Sequence, residues 1–184
     1  MNRFGDGVLY FPVTPFDESG KVNHDALSAH LEASLAHKPG GVFPACGTGE
    51  YHALSTDEVS EVVATTRKHV TDVPVYAGAG GTLGNAVLSA KAAADAGADG
   101  LLILPPYLIA PSQEGLARYV ETIVDAAGIP SVIYHRGTAK YTAETVGALA
   151  AHPLITGFKA GVGDIAETQL IVLAAQEPGG SEFE

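Results

Sequence analysis

Six times along this chain a short, β-rich apolar run is followed by a break of glycine, proline or polar residues and then by a segment of helical period. The strand-like runs are residues 7–11, 41–44, 73–77, 100–104, 131–134 and 155–158, and amphipathic segments near 24–37, 56–69, 84–96, 112–127, 142–151 and 164–175 follow them. Val59, Val62, Val63, Thr66 and Val70 show the three-and-four spacing of one helix face. Ser55-Thr56-Asp57-Glu58 reads as a capping box, Asp164 followed by Glu167 as another, and Ser112 as an N-cap. Gly97, Gly128 and Lys38-Pro39-Gly40 supply helix stops. Strands alternating with helices at about 30-residue spacing predict a parallel sheet covered by helices. An open doubly wound sheet and a closed barrel both fit, and periodicity alone does not choose between them. The regular series favours an α/β (β/α)8 TIM barrel, which needs eight units where this chain shows six. The expectation is a single incomplete TIM-barrel catalytic domain over residues 1–184, C-terminally truncated to about six βα units. Residues 177–184 read as a helix exit and the start of a seventh strand.

Composition narrows the function. With 46% hydrophobic and 17% charged residues the chain is globular in type. A net charge of −11 without any Lys/Arg cluster argues against nucleic acid and anionic membranes as partners. One cysteine, Cys46, excludes an internal disulfide framework and fits a reducing compartment. Residues 1–12 lack a charged lead before a long apolar run, so no signal peptide is read there. The most apolar stretch, 101–110, is broken by Pro105 and Pro106 and is too short to span a bilayer. A soluble, cytoplasmic protein is expected.

In α/β folds, chemistry gathers at the carboxyl ends of the strands. The first strand ends in Val13-Thr14-Pro15-Phe16. The second gives Ala45-Cys46-Gly47-Thr48-Gly49-Glu50, where two glycines let backbone N–H groups approach an anion and Thr48 adds a hydroxyl. An ordinary glycine turn is the competing reading. The third, Ala77-Gly78-Ala79-Gly80-Gly81, brushes against a dinucleotide fingerprint, but Gly84 falls one residue late and no suitably placed acidic residue follows. Nicotinamide binding is rejected. The fifth strand ends in Tyr134-His135-Arg136, and the sixth in Phe158-Lys159-Ala160-Gly161.

Lys159 is the sharpest signal. A lysine directly after a buried apolar strand is costly unless it is paired, solvated or neutral, and a neutral amine can attack a ketone to form a Schiff base. A lysine that snorkels to the rim is the alternative, and position alone does not separate the two. Tyr134, one strand earlier, sits at the same rim, where a phenol can shuttle protons. With the Gly47-Thr48 cradle these residues form a coherent 2-keto acid site. His135 lies at the rim in reach of substrate. His24, His30, His37, His52, His69 and His152 show no metal-ligand pattern, Cys46 reads as a small buried residue, and neither a nucleophile elbow nor a P-loop occurs.

These motifs, in this order, resemble the dihydrodipicolinate synthase/N-acetylneuraminate lyase superfamily of class I aldolases and dehydratases. The segments are Phe11-Pro-Val-Thr14, Gly47-Thr-Gly-Glu50, Tyr76-Ala-Gly-Ala-Gly-Gly81, residues 100–108, Tyr134-His-Arg136, and Gly157-Phe-Lys159 through Gly163-Asp-Ile165. Within the superfamily the likeness is to the 5-dehydro-4-deoxyglucarate dehydratase branch. Gly47 and Leu108 stand where the synthase branch carries a relay threonine and a relay tyrosine, and both are similar to the dehydratase pattern. His135 and Ala160 depart from that pattern, where Asn and an acidic residue are common.

The resemblance implies that Lys159 is the Schiff-base lysine and Tyr134 its acid–base partner, while Gly47 and Thr48 hold the substrate carboxylate and His135 and Arg136 contact substrate. It implies a 2-keto sugar acid as ligand, neither metal nor organic cofactor, and a homo-oligomer in full-length form. Other readings are another class I aldolase or synthase of the superfamily, and an inactive fragment that only binds sugar acids. An unclosed barrel is expected to leave the first and sixth strands as edges, to expose apolar faces and to work poorly.

Overall fold

The computed structural model describes Phe4, residues 7–179 and Phe183. Among the described residues six strands alternate with six helices: β1 (Leu9–Tyr10), α1 (His24–Leu35), β2 (Gly41–Val42), α2 (Thr56–His69), β3 (Tyr76–Gly81), α3 (Leu83–Asp95), β4 (Gly100–Pro106), α4 (Gln113–Ala127), β5 (Ser131–His135), α5 (Ala143–Ala150), β6 (Ile155–Ala160) and α6 (Ile165–Gly179). A single 3-10 turn, Tyr51–Ala53, interrupts the β2–α2 connection.

Strand order settles the architecture. β1 pairs with β2, and β3, β4, β5 and β6 pair in chain order, every pair parallel. A parallel bridge between Val42 and Val75 joins the two groups. A doubly wound sheet must reverse its strand order at a switch point. Here the order never reverses, and each helix packs on the next in the chain, α1 on α2 through α5 on α6. That is the wall of a barrel with its outer ring of helices.

Local chemistry sets the boundaries. Ser55 and Glu58 form the reciprocal capping box of α2, and Ser112 and Thr142 cap α4 and α5. Asp164 Oδ1 accepts the Glu167 N–H at 3.0 Å at the start of α6. Gly128 closes α4 in the left-handed conformation at φ 67°. Asp99 Oδ2 accepts the Val75 N–H at 2.9 Å and Arg67 Nη1 at 3.0 Å, which ties β3 to α2.

Most strand ends move by one or two residues from the sequence reading, and two boundaries differ by more. β3 occupies 76–81 rather than 73–77. Pro74 has no N–H for a ladder, and its carbonyl instead accepts the Val42 N–H at 2.9 Å. The glycines carry the strand because neighbouring backbone crowds it: a Cβ on Gly78 would strike the Ala45 carbonyl oxygen, and one on Gly80 would lie 2.6 Å from Leu104 Cβ. The last helix runs on to Gly179 instead of ending near 175. Residues 180–182 and 184, where the seventh strand was expected to begin, lie outside the described residues.

Phe4, Phe11, Phe43 and Tyr76 pack ring against ring, with centroids 4.7–5.5 Å apart. The layer between strands and helices is filled by residues such as Leu27, Leu31, Val59, Val63, Leu101, Ile103, Val120, Ile123 and Ile133. Among the described residues β6 pairs on one side alone, with β5, and α6 exposes Ile165, Leu170, Val172 and Leu173. No helix among them is long and apolar enough to cross a membrane.

Candidate active site

Lys159 and Tyr134 are paired residues in the β5–β6 register. Strand side chains alternate between faces, so directly paired residues of neighbouring strands share one. The Lys159 Nζ stands 3.9 Å from the centroid of the Tyr134 ring and 5.6 Å from that of Phe11. These three residues, with Gly47, Thr48, Leu102 and Arg136, line a cleft of about 110 Å³. It adjoins a wider cleft of about 450 Å³ that shares Gly47, Tyr134 and Arg136 and continues along His52, Leu104, Tyr107, Leu108 and Thr138. A third opening, of about 490 Å³, lies between Tyr51, Thr56, Gly81, Asn85 and Tyr107. Its lining includes no lysine, so an amine-based chemistry belongs to the smaller cleft.

The β2 loop reaches this cleft under backbone tension. Ala45 and Glu50 both hold positive φ, 49° and 58°, on either side of Gly47-Thr48-Gly49. Thr14 Oγ1 donates to the Gly49 carbonyl at 2.7 Å, pinning the loop from the first strand's exit. Gly49 is buried against Ala45 and the Pro12 carbonyl, while Gly47 and Thr48 are exposed toward the cleft. A fixed loop presenting free polar groups is suited to holding a carboxylate.

The Tyr134 phenol is held below its ordinary value. Burial pushes it up, but the cations of Lys159 and Arg136 outweigh burial. Arg136 Nη1 donates to the Tyr134 hydroxyl at 3.3 Å, and its guanidinium carbon lies 5.8 Å from the ring centroid. The same guanidinium comes within 3.8 Å of where a Cβ on Gly47 would stand, so it bridges the second and fifth strand ends.

The structure therefore brings Lys159, Tyr134, Gly47, Thr48 and Arg136 together. His135 does not join them. It is the next residue along β5, turns to the opposite face, and packs against Phe158 and Tyr141 under the helices. Its expected contact with substrate is corrected on that ground. Phe11 and Leu102 entered the sequence reading only within matching segments, without a site role, and both form apolar walls beside the amine. Their signal was present: Phe11 closes the first strand run, and Leu102 follows the inward alternation of β4.

Cys46 is fully buried, and burial drives its thiol pKa up. Four of the remaining histidines are accounted for. His24 meets Thr65 and Glu61, His69 meets Glu32, His152 meets Asp125, and His30 packs against Tyr10. No group of histidine, cysteine and acidic side chains among the described residues could hold a metal.

The dihydrodipicolinate synthetase family model matches residues 5–178. The chain belongs to that family. Its relatives include a probable 5-dehydro-4-deoxyglucarate dehydratase 2 of Streptomyces avermitilis, 43% identical over 93% of this chain and 52% of the relative. A probable 5-dehydro-4-deoxyglucarate dehydratase of Bacillus licheniformis is 41% identical over 90% of this chain and 54% of its own. The chain thus spans about half the length of these curated relatives. Among solved structures, the chloride-inhibited dihydrodipicolinate synthase of Acinetobacter baumannii complexed with pyruvate superposes with a TM-score of 0.86 at 28% identity, covering 94% of this chain and 61% of that one. The family fold, a TIM barrel, is the one that the strand order indicates.

Proposed function

We propose that the protein is a Schiff-base lyase of the decarboxylating hydro-lyase type, converting 5-dehydro-4-deoxy-D-glucarate to 2,5-dioxopentanoate, water and CO2. The observation that carries this reading is the Lys159 amine held 3.9 Å over the Tyr134 ring, beside the Gly47-Thr48 loop. The names of the relatives supply the substrate.

The amine of Lys159 attacks the ketone next to a carboxylate, and the carbonyl oxygen leaves as water. Thr48 and the backbone at Gly47 hold that carboxylate. Tyr134 takes a proton from the adjacent methylene, and the electron pair enters the iminium to give an enamine. The enamine expels the β-hydroxyl, which departs as water with a returned proton. The far carboxylate then leaves as CO2, its electron pair flowing into the conjugated iminium. Protonation and hydrolysis release the product and restore the free amine. The lysine itself provides the electron sink, so the scheme calls for no metal or organic cofactor.

Gly47 and Leu108 favour the dehydratase over the synthase branch: neither side chain can pass a proton, and Leu108 lies open to solvent. The test is product analysis with the keto-deoxyglucarate and with pyruvate plus an aldehyde. Release of CO2 from the sugar acid alone supports the proposal, and condensation of pyruvate with an aldehyde replaces it with a synthase.

A further inference from the structure

A buried cluster behind the Lys159 strand plays no part in that scheme. His135 is 2% exposed, set between β5 and the helices. The ring of Phe158 lies 5.5 Å away and that of Tyr141 6.3 Å away. Its Nδ1 accepts the Tyr141 N–H at 3.2 Å. A nitrogen that accepts a hydrogen bond carries no proton, so the neutral ring bears its proton on Nε2. That Nε2 is buried and has no hydrogen-bond partner. His135 and Glu167 of α6 both line a void of about 10 Å³. The Glu167 Oε2 stands 3.8 Å from the Nε2, beyond hydrogen-bonding distance, yet within a small rotation of a half-exposed side chain.

The same residue also holds the other end of the loop. The His135 carbonyl accepts the Gly161 N–H at 2.9 Å, directly after Lys159 and Ala160. Residues 160–164 include two glycines, one at φ 83°, so this connection has little rigidity of its own.

We propose that His135 is a positioning residue for Lys159: its Nε2–H donates to Glu167 and, with its carbonyl on Gly161, clasps the 160–167 segment to β5. The role assigned to Lys159 rests on the Schiff-base reading above. The groups facing the imidazole are Glu167 from α6, Asp164 just before that helix, and Lys140 and Tyr141 from the segment before α5. Burial holds the imidazole below its ordinary value, Glu167 opposes this and Lys140 reinforces it.

Three readouts on the full 184-residue chain test the clasp. Nitrogen-15 NMR of labelled histidine should show His135 as the Nε2–H tautomer, with that proton exchanging faster with solvent in E167A. Amide exchange across 160–168 should quicken by about fivefold in H135L and in E167A, the weight of one hydrogen bond. H135Q, which returns an N–H donor near the Nε2 position, should restore slow exchange and also the rate of borohydride-trapped pyruvate adduct at Lys159. E167A alters a half-exposed side chain and keeps the test open if H135L does not fold. An Nδ1–H tautomer, or unchanged exchange across 160–168 in E167A, overturns the clasp. Local quickening in a protein whose wild type forms no adduct upholds the clasp and removes the Schiff-base reading instead.

Discussion

Replacing Gly161 with alanine perturbs Tyr134 and Lys159 together. A Cβ there would lie 2.7 Å from Tyr134 Cε2, 2.9 Å from the His135 carbonyl oxygen and 3.3 Å from Arg136 Cβ. Carbon atoms in ordinary contact stand about 3.5–4.0 Å apart, so the ring must retreat by about 0.8 Å or more. The carbonyl is backbone, held by its hydrogen bond from the Gly161 N–H, and gives less readily. Overpacking of this kind costs about 1–3 kcal/mol. For a domain of this size each kcal/mol moves Tm by about 2–4 °C, so thermal unfolding followed by circular dichroism should fall by roughly 2–12 °C. The Lys159 Nζ stands over the displaced ring at 3.9 Å. A shift near 1 Å in a reacting geometry can cost about a hundredfold, so the rate of borohydride-trapped pyruvate adduct should drop by at least about tenfold. Gly84→Ala is the control, because a Cβ there meets nothing within 4 Å and alanine favours the first turn of α3. A G161A protein that keeps both the wild-type Tm and the wild-type adduct rate would refute this packing argument.

Three further outcomes follow from the geometry. Tyr134→Phe should leave Tm nearly unchanged, since the hydroxyl accepts its hydrogen bond from an exposed arginine, and should slow turnover by about 10²–10⁴, measured as CO2 release. Arg136→Gln removes one of the two cations that hold the phenol down, so the ultraviolet titration of Tyr134 should move to higher pH. A phenol with a lowered folded pKa adds stability as pH rises through that value, complete only above the ordinary 10.0, so R136Q should lose stability in alkaline melts and not through this titration at pH 7. Ser55→Ala breaks the capping box of α2 and should cost about 1 kcal/mol, read as a fall in Tm of about 2–4 °C.

The alternation of strand and helix was legible because each helix carries its own period and caps: Ser55, Ser112 and Asp164 all cap as their residue types predict. The barrel order of the strands was legible through the regular spacing and the family resemblance rather than through any local signal, because neighbour relations among parallel strands are set by long-range pairing. β3 was misplaced because Ala77-Gly78-Ala79-Gly80-Gly81 lacks strand formers. Its strand character comes from the Ala45 carbonyl and Leu104 pressing on it, a tertiary cause. Lys159 and Tyr134 could be placed at adjacent strand ends, but their facing each other required the β5–β6 register. His135 was within reach of sequence logic, since period two puts it opposite Tyr134. Arg136 escapes that logic by lying past the strand, in the turn bridged by Arg136 and Ala139.

The central claim is that Lys159 forms the imine. Incubating the chain with pyruvate or with 5-dehydro-4-deoxy-D-glucarate, adding borohydride and mapping the digest by mass spectrometry tests it directly. A reduced adduct is expected on the peptide containing Lys159 and none in Lys159→Met. An adduct on another lysine, or none on a protein shown to be folded, would contradict the claim.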